Sequence, residues 1–409
     1  MFLERRLQKT IQKAVKSFPA IVITGPRQSG KTRLLREKWQ NTHHFLSLED
    51  PDIRRLASDD PRTFLTQNRP PLILDEIQYY PEILTYIKSS IDDNRQDAGQ
   101  WLLTGSQQFA LMKGVGESLA GRAAILNLLP LSLAEIQQRE EGLVQYLNPE
   151  ALDDLQKMDG QAGGFLDLGA WLLRGSYPEL YEKPQIDRRL WFGSYVQSYL
   201  ERDVRNLSQV GDLGDFEKFL KLLAARTGQI LHLQEITQEV GVSFPTGKRW
   251  LSILEASFVV YLLRPYHRNF GKRMIKSPKI YFLDTGLASF LVGLHSQEHL
   301  LASPMAGHLF ETAIVSELIK GYTNEGINPP LYFWRSHDGL EVDVLVEDNL
   351  RLIPIEIKLS ATMSPEHIRG LKKWREIVSS PDGKSLLICG IENIQEISKD
   401  IIAYPWSLM

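Results

Sequence analysis

A glycine-rich segment, ITGPRQSGKTRLL, starts at Ile23 and surrounds one lysine with two glycines and three hydroxyl residues. The spacing of Gly25, four residues, Gly30, Lys31 and Thr32 fits the nucleotide-phosphate loop pattern. Glycines let backbone N–H groups face phosphate oxygens, while the lysine reaches the β and γ phosphates and the threonine ligates Mg²⁺. The sequence therefore predicts a site for ATP and Mg²⁺. The predicted contact residues are Gly25, Pro26, Arg27, Gln28, Ser29, Gly30, Lys31, Thr32 and Arg33.

Two further segments could complete a hydrolytic site. PLILDEIQ ends an apolar run with Asp75 and Glu76, and LLTGSQ ends another with Thr104 and Ser106. We expect Asp75 to serve the Mg²⁺ ion, directly or through water, and Glu76 to polarise the attacking water. Thr104 and Ser106 could contact the γ-phosphate or that water. A small-molecule kinase uses the same loop, but the acid pair favours water as the acceptor.

Charge in the transition state also calls for a cation besides the loop lysine. Arg122 in SLAGRAA is the candidate for an arginine finger or sensor. It would act across a subunit interface only if the protein forms a homo-oligomer. The alternative interpretation is a surface arginine paired with a solvated acid.

The last part of the chain contains a second group of charged residues. Glu311 lies in a helical pattern, Asp343 in the strand pattern EVDVLV, and Glu356 and Lys358 in IPIEIKLS. Period-two alternation puts Glu356 and Lys358 on one face of their strand. Two carboxylates on adjacent strands could hold Mg²⁺ or Mn²⁺, with Glu311 in the outer shell and Lys358 at the attacking water. The alternative is a solvated outer face of an edge sheet.

Elements that would position these residues follow in order. Apolar runs such as AIVIT, HFLSLE, PLILDE and QWLLTG alternate with helical patterns, as in a parallel α/β sheet covered on both faces. Next, LHLQEITQEV, the turn GVS, FPTGKRWLSILEASF and the strand VVYLLRPY have the order of a winged helix-turn-helix. A helical hairpin used only for packing is the alternative.

These patterns together predict an α/β protein of three domains. We predict a P-loop ATPase domain with a helical lid over residues 1–210, a winged helix-turn-helix over 211–268 and an α/β domain over 269–409. Strands LYFWRS, LEVDVLVED, RLIPIEIKL and SLLICGI predict a second, independent sheet in the last domain. The polar, glycine-bearing stretch from Asn148 to Gly164 predicts an insertion or lid connection.

Composition limits the function classes. The 409 residues carry a formal charge of −3, so contact with nucleic acid would need a local basic face. A single cysteine, Cys389, excludes an internal disulfide and a multi-cysteine zinc site. No apolar run approaches the roughly 20 residues that span a bilayer, and the charged first residues do not resemble a signal peptide. These features favour a cytoplasmic protein without a membrane partner.

The quoted motifs together resemble the prokaryotic AAA-type P-loop ATPases that carry a carboxy-terminal domain of unknown function. TGPRQSGKT, LILDEIQ, LLTGSQ and SLAGR match the ATPase part, and KRMIKSPKIYFLDTGLASFLVG matches the most distinctive stretch. GHLFETAIVSEL, FWRSHDGLEVDVLVE and IPIEIKLS match the end, which in that group resembles the PD-(D/E)xK nuclease fold. The resemblance places Glu311, Asp343, Glu356 and Lys358 on nuclease-like positions. It departs at Val342, where the name-giving motif has proline.

Two functions remain open from the sequence. The first is an ATP-driven machine acting on DNA, with metal-dependent cleavage in the last domain. The second is a signalling or protein-remodelling ATPase whose last domain is a degenerate interaction module. Salt-dependent binding of duplex DNA separates the two. Basic residues that could contact phosphates are Lys248, Arg249, Arg264, His267, Arg268, Lys272, Arg273, Lys276 and Lys279.

Overall fold

The structure is a computed structural model of the chain. It describes residues 2–106, 118–148, 151–153, 155, 167–200, 213–267, 277–348, 351–378 and 383–409. Most of the predicted lid connection, and the four basic residues Arg268, Lys272, Arg273 and Lys276, lie outside the described residues.

A five-stranded sheet with parallel pairing throughout forms the first part of the fold. Its strand order is β2-β3-β4-β1-β5. The central strands β1, β3 and β4 are buried along their whole length, as apolar runs covered on both faces require. The predicted parallel sheet is confirmed, although the sequence did not reveal β5. The strands are β1 (Ala20–Thr24), β2 (His44–Ser47), β3 (Leu72–Asp75), β4 (Trp101–Gly105) and β5 (Ala123–Asn127).

Helices cover both faces of this sheet and continue after it. Two buried apolar clusters, one on each side of β1, hold the helices against the strands. The helices are α1 (Leu7–Ala14), α2 (Lys31–Trp39), α3 (Pro51–Asp59), α4 (Pro61–Gln67), α5 (Ile83–Asp93), α6 (Leu133–Ile136), α7 (Leu168–Arg174), α8 (Pro178–Glu182) and α9 (Arg188–Tyr195).

The middle region contains three helices and a small antiparallel sheet. The first of these helices, α10, packs on the third, α12, through Phe216 and Phe219, whose rings each lie 5.4 Å from the Trp250 ring, edge to face. α11, α12 and β7 lie where the sequence predicts them, and α10 was not predicted. The elements are α10 (Leu213–Ala225), β6 (Gln229–Ile230), α11 (Leu233–Val240), α12 (Phe244–Ala256), β7 (Val260–Pro265) and β8 (Lys279–Phe282).

The last region completes a second sheet of nine strands in the order β13-β14-β12-β11-β10-β9-β7-β8-β6. Its pairing is mixed, parallel for β11-β12 and β12-β14 and antiparallel for β9-β10 and β10-β11. The added elements are α13 (Thr285–Leu291), α14 (Gln297–Ala302), α15 (Ala306–Asn324), β9 (Leu331–Arg335), β10 (Glu341–Asp348), β11 (Arg351–Ile357), α16 (Arg369–Val378), β12 (Ser385–Cys389), β13 (Gln395–Ser398) and β14 (Ile401–Pro405).

This second sheet is not independent, so that prediction is wrong. β7 of the middle region pairs in parallel with β9, with Arg264 opposite Tyr332 and Pro265 opposite Phe333. The N–H of Tyr266 extends the pairing by donating to the carbonyl of Phe333 at 2.6 Å. β7 therefore belongs to the sheets of both regions. The domain boundaries at residues 210 and 268 stay a prediction.

The regions also share their interior. A single buried apolar cluster contains residues from Leu129 to Met409, and the Trp171 ring of α7 stacks on Trp406 near the chain end at 5.1 Å. None of the helices in the described ranges is long and apolar enough to cross a membrane.

Candidate active sites

The phosphate loop connects β1 to α2 at the edge of the first sheet where the parallel strands end. Gly25 has φ of 147°, and a Cβ added there would lie 2.2 Å from the carbonyl oxygen of Leu128. Gly30 has φ of 93°, a left-handed conformation that favours glycine. The Lys31 ammonium donates to the carbonyls of Gly25 at 3.0 Å and Pro26 at 2.8 Å. The loop thus has the backbone of a phosphate cradle, with its lysine folded onto it.

Asp75 lies at the centre of the group next to the loop. Its carboxylate accepts from the hydroxyl of Thr32 at 2.9 and 3.1 Å and from the hydroxyl of Thr104 at 2.5 Å. Burial raises the pKa of Asp75 and the charge of Glu76 raises it further, whereas the hydroxyl donors lower it. The structure therefore brings together the predicted Mg²⁺ residues Thr32 and Asp75, with hydroxyl partners.

Glu76 is held beside that group by an unusual backbone conformation. Its φ of 54° is left-handed, and its N–H donates to the Thr104 hydroxyl at 3.1 Å. Its carboxylate accepts from the Ser106 hydroxyl at 3.1 Å and from the amide of Gln78. Gln78 also donates to Ser106 at 3.1 Å, and the sequence prediction missed it. Thr104 and Ser106 therefore position the two acids directly.

Arg122 lies at the opposite edge of the sheet from the loop. Its carbonyl accepts from the N–H of Ala20, the first residue of β1, whereas the loop follows the last residue of that strand. Its guanidinium pairs with Asp92 through two bonds of 2.7 and 3.0 Å, which lowers the pKa of Asp92. Arg122 therefore does not reach the loop of its own chain.

The helices after the sheet also border the loop. The Pro178 ring, at the start of α8, lies 3.9 Å from the position of a Cβ on Gly30. Glu182, at the end of α8, pairs with Arg33 of α2. The Arg33 guanidinium also lies 5.6 Å from the centre of the Phe2 ring. Arg33, a predicted contact residue, thus joins the loop helix to its neighbours.

Two of the predicted acids of the last region, Asp343 and Glu356, meet at Lys358. The Lys358 ammonium lies 2.6 Å from Glu356 and 3.4 Å from Asp343. Asp343 also accepts from the N–H of Ile357 at 2.8 Å. Both acids are only 7% exposed, which contradicts the solvated outer face considered from the sequence. The prediction that Glu356 and Lys358 share a face is confirmed.

Burial and mutual repulsion control the charge of this group. Glu356 Oε2 is buried without a hydrogen-bond partner in the part of the chain that the structure describes. Burial, and then the charge of Asp343, raise the pKa of Glu356 to about 8, while Lys358 opposes the shift. Hence Glu356 is the least compensated carboxylate in the group.

The middle region contributes two side chains that the sequence did not assign to this site. Lys279 on β8 donates to Glu311 at 3.0 Å and pairs with Glu341, and Tyr281 on the same strand donates to Glu311 at 2.6 Å. Burial, then the charge of Asp343, raise the pKa of Glu311 to about 7. Lys279 is only 4% exposed, so the expectation that it contacts a nucleic-acid phosphate is wrong.

The oxygen donors Asp343 and Glu356, with an unpartnered buried oxygen, have the chemistry that Mg²⁺ or Mn²⁺ prefers. Across the described ranges, no three His, Cys, Asp or Glu side chains are grouped so that they could hold a metal ion. A metal here would therefore have two protein carboxylates and complete its shell with water or substrate oxygens.

Comparison with protein families divides the chain into three parts. Residues 17–137 match the AAA domain, residues 166–298 match Domain of unknown function (DUF8612), and residues 306–409 match Domain of unknown function (DUF4143). An uncharacterized protein of Mycobacterium tuberculosis is 29% identical over 367 residues, 89% of this chain and 76% of the relative. One of Methanocaldococcus jannaschii is 22% identical over 374 residues, 86% and 78% of the two chains.

Among solved structures, the Walker-type ATPase PABY2304 of Pyrococcus abyssi has a TM-score of 0.43 at 15% identity, covering 71% of this chain and 96% of that one. The RuvB Holliday junction branch migration motor of Thermotoga maritima has a TM-score of 0.28 at 16% identity, covering 63% and 88%. Scores below 0.5 are too low to establish a shared fold.

The family matches agree with the loop geometry. The chain contains an AAA-type P-loop ATPase domain followed by two domains of unknown function. Such a domain implies binding of ATP, typically with Mg²⁺, and hydrolysis of the nucleotide.

Proposed function

We propose that this protein hydrolyses ATP in order to act on DNA, and that its last domain cleaves a phosphodiester bond with a divalent metal. One observation carries the cleavage part: Asp343 and Glu356, from neighbouring strands, meet at the Lys358 ammonium, while Glu356 Oε2 has no partner among the described residues. Buried acids with an unfilled oxygen are costly unless a proton or a cation joins them.

In the ATPase site, each residue has a role that follows from its contacts. Lys31 exchanges the carbonyls of Gly25 and Pro26 for phosphate oxygens when nucleotide binds. Glu76, held by the Ser106 hydroxyl, orients and polarises the attacking water. Thr32 and Asp75 would hold Mg²⁺, which would supply positive charge against the phosphates.

In the last domain, Lys358 has the cleavage role. Its ammonium holds the two carboxylates at one point, and about a third of the side chain is exposed, so it can also face a water molecule or a phosphate. A divalent ion between the carboxylates would lower the pKa of that water.

DNA contact would come from the exposed face of the middle region, whose elements have the order of a winged helix-turn-helix. Lys248 and Arg249 are exposed on α12, the second helix of that motif, near the exposed ring of Phe244. Contacts of this kind go mainly to phosphates, so they would weaken as salt rises.

Arg122 supports a homo-oligomer within this proposal. It lies at the sheet edge away from its own loop and pairs with Asp92, so a role in hydrolysis would require it to reach the ATP site of a neighbouring subunit. Mixing Arg122→Ala with Lys31→Ala protein would then restore some hydrolysis, since one interface contains an intact site. No recovery in an assembly of confirmed mass would exclude this role.

The second candidate is a signalling or protein-remodelling ATPase, and one observation favours it. Lys279, Lys358 and Tyr281 already satisfy most of the carboxylate oxygens, as in an internally balanced structural network. In that case the last domain binds a partner without cutting it.

Incubation with linear, forked and branched DNA, with Mg²⁺ or Mn²⁺ and with or without ATP, tests the proposal. Asp343→Ala should abolish metal binding and cleavage while ATP turnover survives, and Lys358→Ala should keep the metal but lose cleavage. Asp338→Ala, an exposed acid in the turn before β10, is the matched control. If neither the parent chain nor any of the three variants cleaves DNA when metal is added, and none binds DNA in a salt-dependent way, the second candidate is favoured.

A further inference from the structure

One buried arginine outside the recognised motifs touches the phosphate loop. Arg5, two residues before α1, donates to the carbonyl of Ser29 at 2.6 Å and to the carbonyl of Leu129 at 2.6 Å. Its third bond goes to Glu135 at 3.2 Å, and its side chain is only 3% exposed. Ser29 immediately precedes Gly30 and Lys31. Arg5, which is not part of the phosphate-loop motif, therefore hydrogen-bonds to the loop backbone.

The contact between Arg5 and the Ser29 carbonyl also fixes the orientation of the Ser29–Gly30 peptide. In a planar trans peptide, the carbonyl and the following N–H point in opposite directions. Because Arg5 holds the Ser29 carbonyl, the N–H of Gly30 must point away from Arg5. Backbone N–H groups of this segment are the ones that bind phosphate oxygens in such loops.

Glu135, the acid partner, is itself fixed. It is the third residue of α6 and caps that helix with Ser132, whose N–H donates to it at 2.8 Å. The N–H of Arg6 donates to its other oxygen at 2.7 Å. The position of the Arg5 guanidinium is therefore set by α6.

The same short helix reaches the last domain. The N–H of Leu133, the first residue of α6, donates to Glu317 of α15 at 2.6 Å. Glu317 pairs with Lys320 at 2.8 Å, and Lys320 donates to the Ser176 hydroxyl at 3.0 Å. Ser176 in turn donates to Asp284 at 2.9 Å. All of these side chains are buried.

We propose that Arg5 is a positioning residue for the phosphate loop, and that the buried polar chain from Ser29 through α6 to Glu317 couples nucleotide binding to helix α15. α15 also carries Glu311 of the carboxylate group. The coupling rests only on the ATPase domain, so it stands whether or not the protein acts on DNA.

Replacement of arginine by lysine tests the positioning role. An ammonium cannot reproduce three directed bonds from one planar group. We expect Arg5→Lys to bind ATP with Mg²⁺ about tenfold more weakly, with the KM for ATP raised and kcat changed by less than about threefold. Titration with ATP, well below the melting temperature of each protein, gives the affinity.

Arg375→Lys provides the matched control. Arg375 also donates to a carbonyl, that of Gly383 at 2.8 Å, and pairs with an acid, Asp400, but it lies in the last domain away from the loop. Its variant should bind ATP within about twofold of the parent chain. A lower melting temperature for Arg5→Lys with unchanged ATP affinity would overturn the positioning role.

Amide hydrogen exchange tests the coupling. A non-hydrolysable ATP analogue should slow exchange in peptides covering α15 in the parent chain, and this protection should fall by more than half in Arg5→Lys at saturating analogue. Because coupling is reciprocal, Glu317→Gln should weaken ATP binding about fivefold. If the analogue changes exchange only around the loop, or if Glu317→Gln folds and binds ATP normally, the coupling is excluded.

Discussion

The two candidate sites of this chain stabilise their buried carboxylates with different kinds of donor. Beside the phosphate loop, Asp75 accepts from the hydroxyls of Thr32 and Thr104, which are neutral donors. In the second sheet, lysines at positions 279 and 358 lie directly against the carboxylates. In the first site the nearby cation, Lys31, is bound to the loop carbonyls and the acid bonds directly to hydroxyls, whereas in the second site ammonium groups touch the acids.

This difference predicts that the two sites respond differently to a metal ion. A carboxylate bonded directly to hydroxyls, as Asp75 is, gains most when a metal ion enters with the nucleotide. A site with built-in ammonium groups stays stable without metal, and an incoming ion must compete with Lys358 for Glu356 and Asp343. Lys358 can thus be catalytic or purely structural. Substitutions at the two sites distinguish these roles.

The largest effect is expected from Lys31→Ala. The cationic contact to the phosphates is lost while the glycine backbone stays, so ATP binding should fall and hydrolysis should drop about a hundredfold or more. Circular dichroism should show an unchanged fold. Lys13→Ala, an exposed lysine on α1, is the control. Unchanged turnover in Lys31→Ala would contradict the role of the loop.

The acid pair should separate binding from hydrolysis. Glu76→Gln keeps the shape but loses the charge that polarises water, so turnover should fall about a hundredfold at nearly normal ATP affinity. Asp75→Asn should instead weaken the Mg²⁺-dependent part of binding. Titrations with and without Mg²⁺, followed by phosphate release, measure both. Equal loss of binding in the two variants would mean that their roles are misassigned.

Removal of a built-in cation should destabilise the second site only. Lys358→Met leaves Asp343 and Glu356 facing each other, which costs less than in a fully buried pair because the ammonium is about a third exposed. We expect the free energy of unfolding in chelator to fall by about 1–3 kcal/mol, and added Mn²⁺ to restore part of it. Urea titration measures this, with Lys372→Met on the exposed face of α16 as control.

The smallest effect is a pH dependence of stability. The pKa of Glu356 is raised to about 8 by burial and by Asp343, so the folded state keeps a proton that the unfolded chain releases. Stability should therefore fall as pH rises from about 5 to about 8. In chelator, Glu356→Gln should lose less stability than the parent chain over that range, because it has no carboxyl group to titrate at this position. Parallel curves for the two proteins would show that Glu356 is already ionised.

The loop site was predictable because its chemistry lies in local spacing. Gly25, Gly30, Lys31 and Thr32 are neighbours in sequence, and Asp75 and Thr104 follow apolar runs whose ends meet at one sheet edge. In the second site, alternation along one strand placed Glu356 with Lys358, but nothing local linked them to Lys279 and Tyr281 on β8. Arg5 was missed for the same reason, since its contacts are set by packing between distant elements. Gln78 lies only two residues from Glu76, and its bond to Ser106 on the next strand was the part that the sequence did not indicate.

The parallel pairing of β7 with β9 limits where the chain can be divided into fragments for expression. A fragment ending at residue 268 would lack β8, which lies between β7 and β6, and would expose the edge of β7 that β9 covers. A fragment beginning at 269 would expose the corresponding edge of β9. Unpaired strand edges promote aggregation. Neither region should therefore be expressed without the other, and the shared interior, with Trp171 stacked on Trp406, requires α7 as well.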